Sequence, residues 1–292
     1  MPGLKEIKRR IGSVKSTKQI TKAMKMVSAA KFRKALVRIT ELKPYAEKMS
    51  QVLSSLACTV EEGHPLLQAR PVKKVEIIVL TGDRGLCGAF NTNVMKAAIN
   101  LIRDTQKTGA EVSISAIGRK GADLFRRRKV TLRGRWVGLS GRASYADAQG
   151  IAKDVIDNYM NETFDEVQLV YTQFKSAAIQ KVTVSRLLPL APQDGSSCPP
   201  DKAQDKGEYI LEPSQQAIFE QLLPKNVEIQ IFRAILDAQA SEQAARMAAM
   251  ENATKNANDM IKKLTLQYNK ARQASITKEL MDIVGGVEAL KK

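Results

Sequence analysis

The sequence predicts an α/β fold carried between two long terminal helices, on three observations. Apolar residues at both chain ends step by three and four positions, the spacing of helices that pack side by side. Between the ends the period changes to short β-branched runs bounded by turn residues, with helical stretches between them. From Lys225 to Lys292 there is no proline, and the only glycines are the pair Gly285 and Gly286. At 1.5 Å per residue a helix of that extent would be roughly 100 Å long. No globular domain of this size encloses such a rod, so the two ends pair with each other or project into a partner.

Residues 4 to about 60 read as one helix. Leu4, Ile7, Ile11 and Val14 open its seam. Ile20, Met24 and Val27 resume that seam after a break in register, and Ala35, Ile39, Leu42, Ala46, Met49, Leu53 and Leu56 continue it. Pro44 removes one helical hydrogen bond and bends the helix locally. "EEGHP" ends it, and His64 there reads as a solvated loop residue.

The strands that follow are "VEIIVLT" (75–81), "VSISAIG" (112–118), "VQLVYTQF" (167–174) and "KVTVSRLLPL" (181–190), with helices at about 92–107, 119–128 and 144–160. Strand and helix alternate, so the sheet begins parallel. The last two strands are joined only by "KSAAIQ", which suits an antiparallel hairpin at an edge. The stretch 191–208, rich in proline, serine and charge, reads as a surface loop.

In the C-terminal helix Met250, Ala253, Ala257, Met260, Leu264, Tyr268 and Ala271 form a second seam, and Ile276, Leu280, Ile283, Val287 and Leu290 a third, offset from it. Alanine is dense from Ala234 to Ala257. Two readings stand: small residues let helix axes approach closely, or alanine is simply the best helix former.

Composition narrows the function classes. The formal net charge of +17 requires an acidic partner: nucleic acid, an anionic membrane surface or an acidic protein face. Residues 1–48 concentrate it, with only Glu6, Glu41 and Glu47 against a crowd of lysines and arginines, and "RKGADLFRRRKVTLRGRW" (119–136) is a second basic cluster. An aromatic fraction of 5% leaves few rings on which to stack single-stranded bases. Cys58, Cys87 and Cys198 lack metal or disulfide spacing, and His64 is the single histidine, so neither a zinc site nor a Ser-His-Asp triad has its parts. No catalytic set emerges, and no cofactor is expected. The N-terminus lacks the apolar core of a signal peptide, and no run reaches the ~20 apolar residues that span a bilayer. Any membrane association is therefore expected to be peripheral, without direct insertion.

The glycine-rich "TGDRGLCGAFN" (81–91) lies between the first strand and a helix, the order in which proteins cradle phosphates. Its glycines, Gly82, Gly85 and Gly88, follow G-x-x-G-x-x-G, not the G-x-G-x-x-G of dinucleotide sites, and no G-K-[ST] closes it. Asp104 has the offset of a ribose-binding acid but falls inside the following helix. The loop is expected to be a tight connection, with Gly85 at positive φ and Asn91 or Thr92 as N-cap.

Three stretches carry a family resemblance. "IKRRIGSVKSTKQITKAMKMVSAAKFRKA", "DRGLCGAFN" and "YNKARQASITKELMDIVGG" resemble, in order, the N-terminal helix, the loop after the first strand and the C-terminal signature of the gamma subunit family of rotary ATP synthase. The resemblance implies a long antiparallel coiled coil of N- and C-terminal helices with an inserted Rossmann-like α/β domain. It divides the chain into a helix at 1–60, a foot domain at 72–190, a loop at 191–213 and a helix at 214–292. It implies a non-catalytic rotor shaft that couples proton-driven rotation of the c-ring to ATP synthesis on the beta subunits. The partners it implies are the alpha and beta subunits of the hexamer, the epsilon subunit and the c-ring, with no nucleic acid. Met24, Lys25, Arg246, Arg272, Gln273, Thr277 and Glu279 match positions facing the beta subunits, and Tyr209 and Glu212 match a foot segment near epsilon and the c-ring. The start at "MPGLKEIK", with no transit peptide, is expected of a bacterial protein at the cytoplasmic face of the inner membrane. The chain departs from the family pattern at Val287, where alanine is common, and at Gly82, where serine is usual. A nucleic-acid-binding coiled-coil protein and a nucleotide-binding α/β enzyme remain the alternative readings.

Overall fold

The computed structural model describes residues 4–56, 64–141, 143–176, 179–190 and 215–290. In chain order these build α1 (Leu4–Leu56), β1 (Lys74–Leu80), α2 (Phe90–Lys107), β2 (Glu111–Ile117), α3 (Arg119–Arg127), β3 (Gly134–Trp136), α4 (Tyr145–Met160), β4 (Glu166–Phe174), β5 (Gln180–Leu188) and α5 (Gln215–Leu290). They divide into two compact units. One is made of the described residues up to Ala29 and those from Arg246 onward; the other runs from Ala30 to Ala245. The α/β class and the long helices at both ends are as the sequence predicts. The 191–213 loop lies outside the described residues.

The larger unit is organised by one sheet in the order β3-β2-β1-β4-β5. β1 pairs parallel with β2 and with β4, β2 pairs parallel with β3, and β5 closes one edge antiparallel to β4. β1 sits at the centre and is buried on both faces from Val75 to Leu80, which is why it reads as a continuous apolar run. Val75, Ile77 and Val79 pack with Val94 and Ala98 of α2 and Phe125 of α3. Ile78 and Leu80 point the other way, into a cluster shared with Ile151 and Val155 of α4, Met49 and Leu53 of α1, and Val227 and Ile235 of α5. The sheet is thus covered on both sides. β3 is absent from the sequence reading because three residues, "GRW", inside a basic stretch carry no β-branched signal.

Between the two chain ends the helix starts follow local chemistry. Ser144 caps α4 by a reciprocal bond with Asp147: the Ser144 hydroxyl accepts the Asp147 N–H and the Asp147 carboxylate accepts the Ser144 N–H. Those bonds hold the Asp147 carboxyl below its ordinary range. His64 is half-buried, its Nδ1 accepting the Leu66 N–H at 3.1 Å, so it shapes a turn where solvation alone was expected. Burial lowers its pKa against a raising influence from Glu220. One charge is placed deep in the sheet. Glu76 of β1 is fully buried and meets Arg133 Nε at 3.1 Å, while Arg133 Nη1 reaches Asp154 of α4 at 2.8 Å. The pairing compensates a carboxylate that burial alone would penalise heavily.

The smaller unit is a pair of antiparallel helical segments. Thr21 Oγ1 meets Thr254 Oγ1 at 2.8 Å, and Lys25 Nζ meets Glu251 Oε1 at 2.8 Å, so the partner number falls as the first rises. On α1 Leu4, Ile7, Ile11, Val14, Lys18, Thr21, Lys25 and Ser28 are all at least half-covered. Their three–four alternation never breaks. The predicted shift to Ile20, Met24 and Val27 is therefore corrected: Ile20 is 60% exposed and Val27 56%, and only Met24 is partly covered. On α5 the seam runs Met250, Thr254, Ala257, Ile261, Leu264, Tyr268, Ala271 and Ser275, and the predicted Met260 lies outside it, 52% exposed. Hydrophobicity misleads between Lys18 and Ser28, where polar and small residues fill the seam while Ile20 and Val27 face outward. Continued on the register of the two contacts, Leu4 falls opposite Ala271, and α5 runs on past it to Leu290.

Buried chemistry in the larger unit yields a pH dependence. Burial pushes the Asp237 carboxyl of α5 up to about 6 from its ordinary 3.8, with partial relief from Arg233. Tyr171 of β4 is raised by burial and by Asp237 in turn. A folded-state pKa above the unfolded one gives stability that is fully present below about 3.8 and lost as pH rises through about 6. Asp237→Asn is expected to stabilise this unit at pH 7.5 by about 2 kcal/mol and to gain far less at pH 4. Trp136 is the only tryptophan and lies in β3, so urea denaturation followed by its fluorescence at the two pH values reads the difference.

Candidate functional site

In open α/β sheets, ligands bind beyond the carboxyl ends of the strands, where successive crossovers change face. Here α2 and α3 pack on one face and α4 on the other, so the reversal falls beside β1, and the loop 81–91 leaves β1 at that point.

Asp83 decides the chemistry of this loop. Its Oδ1 accepts the N–H of Arg119 at 2.9 Å and of Gly138 at 3.1 Å, and its Oδ2 accepts the N–H of Ser140 at 3.0 Å. Arg119 opens α3, so one of these donors belongs to a helix N-terminus, the kind that binds phosphate elsewhere. A carboxylate of the chain itself takes the amides that a ligand anion would need. In doing so it ties the loop after β1 to the loops after β2 and β3.

Neighbouring bonds tighten the same knot. The Thr81 hydroxyl accepts the Gly121 N–H at 2.9 Å, and Gly82 carbonyl oxygen accepts the Lys120 N–H at 3.1 Å. Asn91 Oδ1 accepts the Gly82 N–H at 2.9 Å, while its Nδ2 donates to Arg84 O at 3.3 Å and Cys87 Sγ at 3.2 Å. The expected N-cap role is thereby corrected. α2 begins at Phe90 with Ala89 in the cap position and no side-chain cap, and Asn91 folds back to staple the loop. The positive φ expected of Gly85 is corrected too: it falls at Leu86 (64°) and Gly88 (58°). Glycine spacing shows where freedom is available, and the hydrogen bonds decide which residue uses it.

The crevice is filled by α5. Gln239 Nε2 donates to Leu139 O at 2.9 Å, and the Ser140 hydroxyl donates to Glu242 Oε2 at 2.6 Å. Glu242 is 2% exposed, and its Oε1 lies 2.7 Å from where a Cβ on Gly82 would stand. The space left among Thr81, Gly118, Ser140 and α5 is about 20 Å³, against the several hundred that a cofactor pocket needs. Among the described residues no group of His, Cys, Asp or Glu is arranged to hold a metal ion, and no helix is long and apolar enough to cross a membrane.

The residues matched to beta-subunit contacts fall into distinct places. Met24 and Lys25 are half-covered in the helix pair, with Lys25 bonded to Glu251. Arg272, Gln273, Thr277 and Glu279 are exposed together on the part of α5 that runs past Leu4, where Glu279 also accepts a bond from the Ser275 hydroxyl at 3.1 Å. Arg246 stands apart from these, only 8% exposed in the isolated chain. Tyr209 and Glu212 lie outside the described residues. The sequence reading passed over Asp83 and Glu242. A signal for the second was present, since Glu242 is an acid inside an alanine-dense stretch that the structure buries.

Residues 3–290 match the family model described as ATP synthase. The ATP synthase gamma chain of Trichlorobacter lovleyi is 47% identical over 293 residues, spanning 100% of each chain. That of Heliobacterium modesticaldum is 48% identical over 295 residues, spanning 99% of this chain and 100% of its own. The chain belongs to the ATP synthase gamma chain family. Solved structures share its fold at lower identity. A chain of the Euglena gracilis mitochondrial ATP synthase, resolved with OSCP, F1 and c-ring in rotational state 3, aligns with a TM-score of 0.67 at 20% identity, covering 98% of this chain and 94% of its own. A chain of the Tetrahymena thermophila mitochondrial ATP synthase central stalk and c-ring aligns at 0.60 with 24% identity, covering 80% and 99%. The family accounts for the loop's sequence signature, and the geometry says what the loop does: it joins three strand ends around one carboxylate.

Two glycines separate this reading from one based on glycine content. A Cβ on Gly118, at φ +100°, would stand 2.0 Å from Thr81 O, whereas one on Gly85 would meet only Lys120 Cε at 3.9 Å. Gly118→Ala is expected to cost about 3 kcal/mol or more in urea stability, and Gly85→Ala less than about 0.5 kcal/mol. Equal losses would contradict the geometry.

Proposed function

We propose that this chain is the central rotor shaft of an F-type ATP synthase, coupling proton-driven rotation of the c-ring to ATP synthesis on the beta subunits without catalysing that reaction itself. The observation that carries the reading is the surface of the antiparallel helix pair. Ile20, Met26, Val27, Met260 and Leu266 are exposed on it, and beyond the helix pair Leu280, Met281, Ile283 and Val284 are exposed as well. A bare helical rod has no reason to hold so much apolar surface in water, and a surrounding protein sleeve would cover it. The full-length match to gamma chains supports a sleeve made of alpha and beta subunits.

In that setting the foot, residues 72–190, stands on the c-ring beside epsilon, and Tyr209 and Glu212 of the 191–213 loop belong to that contact. The helices at 1–60 and 214–292 enter the hexamer with the C-terminal end deepest. Basic side chains such as Lys25 and Arg272 then meet acidic loops of the beta subunits. Exposed ion pairs are worth about 0.2–1 kcal/mol each, weak enough to form and break as the shaft turns. The apolar end suits a greasy bearing, where directional bonds would hinder rotation. This chain is peripheral to the membrane, at the cytoplasmic face of the bacterial inner membrane. Nucleic-acid binding is disfavoured because the charge is shared with so much exposed apolar surface.

The test is reconstitution with alpha, beta and epsilon subunits and the membrane sector. Arg272 and Gln273 are both exposed, so replacing them together by alanine should leave the helical content and thermal midpoint of the chain within error. Proton-driven ATP synthesis by the complex carrying the double variant is expected to fall several-fold. Synthesis at the wild-type rate would refute the roles assigned to these two residues. Failure of the wild-type chain to co-purify with alpha and beta subunits would refute the rotor itself.

A further inference from the structure

We propose that Glu242 is a positioning residue through which the foot grips the shaft helix and passes load to it. The inference rests on the rotor reading and concerns a joint that the reading leaves undefined: what stops α5 from rolling or sliding when the foot is driven against resistance. Apolar packing around α5 stabilises its position, but it is non-directional. A helix held by such contacts alone yields to a sideways force by repacking. Hydrogen bonds with a narrow range of angle and distance resist that motion.

Such bonds hold α5 at more than one place, Ser241 to Thr172 O and Tyr145 to Glu228 among them, and beyond the strand ends two fall side by side. Gln239 and Glu242 are one turn apart and meet successive residues of the same loop: Gln239 Nε2 donates to Leu139 O, and Glu242 Oε2 accepts from the Ser140 hydroxyl. Ser140 is itself held from behind, because its N–H is one of the three that Asp83 gathers. The chain of bonds therefore runs from β1 through Asp83 to the loops after β2 and β3, and from Ser140 to α5. Glu242 is also seated by shape. Its carboxylate lies against Gly82, where any Cβ would intrude to 2.7 Å of Oε1. A carboxylate in a notch with a donor behind it works as a key. Asp83 fixes the lock, and Glu242 is the key on α5.

The experiment uses the assembled complex in proteoliposomes, with ATP hydrolysis and proton pumping measured together as the gradient builds. The variants are Ser140→Ala, Glu242→Ala and Glu242→Gln. The ratio of protons pumped to ATP hydrolysed is expected to drop several-fold in Ser140→Ala and Glu242→Ala as the opposing gradient rises. Glu242→Gln should retain most of the wild-type ratio, because its amide oxygen still accepts from Ser140. Hydrogen exchange over 237–245 should quicken in the first two variants and not in the third. If Glu242→Ala does not assemble, Ser140→Ala decides, since it removes one oxygen and nothing else. A wild-type ratio under load in Ser140→Ala overturns the proposal, as does a loss in Glu242→Gln equal to that in Glu242→Ala. Failure of the rotor reading looks different: the wild-type complex would then pump no protons on hydrolysis, whatever happens to exchange at 237–245.

Discussion

A helix that passes through the middle of a folded unit must be small and satisfied on every side, and α5 is built under that constraint. From Ala234 to Ala244 every residue is buried, with no solvent-facing stripe of the kind a surface helix keeps. Alanine allows neighbours to come close all round, which selects between the two readings of the alanine-dense stretch: close approach is what it serves here. The polar residues in the stretch cannot be idle. Gln239 meets Leu139 O, Ser241 donates to Thr172 O, and Glu242 accepts from Ser140. Asp237 is the expensive member, since burial raises its pKa.

The same constraint accounts for the missing pocket. A doubly wound sheet offers a crevice at the carboxyl ends of its strands, and in this chain the crevice is where α5 is held. The amides that would receive a phosphate receive Asp83, and the remaining space receives Glu242. The crevice at the carboxyl ends of the strands is thereby turned into a socket for α5. Its binding chemistry, anion to backbone N–H, is retained and directed inward.

Much of this was legible in the residues, and the gaps have physical reasons. Strands β1, β2, β4 and β5 were readable because β-branched runs between turn residues have few other fates. β3 was not, since its three residues are placed by pairing with β2. The seam of α1 was legible as far as Val14 and again from Ala35 to Leu53, and was lost between them, because Lys18, Thr21, Lys25 and Ser28 carry it while Ile20 and Val27 face outward. Hydrophobic periodicity finds the face that hides from water in one chain, and it fails where a chain saves apolar residues for a partner. The spacing of the glycine loop departs from the dinucleotide fingerprint, but spacing says nothing of Asp83, the residue that ties the loop down. An aspartate that gathers three amides from two other loops is visible only once the loops are brought together.

The proposed rotor turns inside a hexamer while ATP is hydrolysed. The most direct measurement fixes the hexamer to a surface, attaches a bead through α3 on the foot, and follows single molecules during ATP hydrolysis. The account predicts unidirectional rotation of the bead for as long as ATP is hydrolysed. A bead that stays still while ATP is hydrolysed at the normal rate would contradict it.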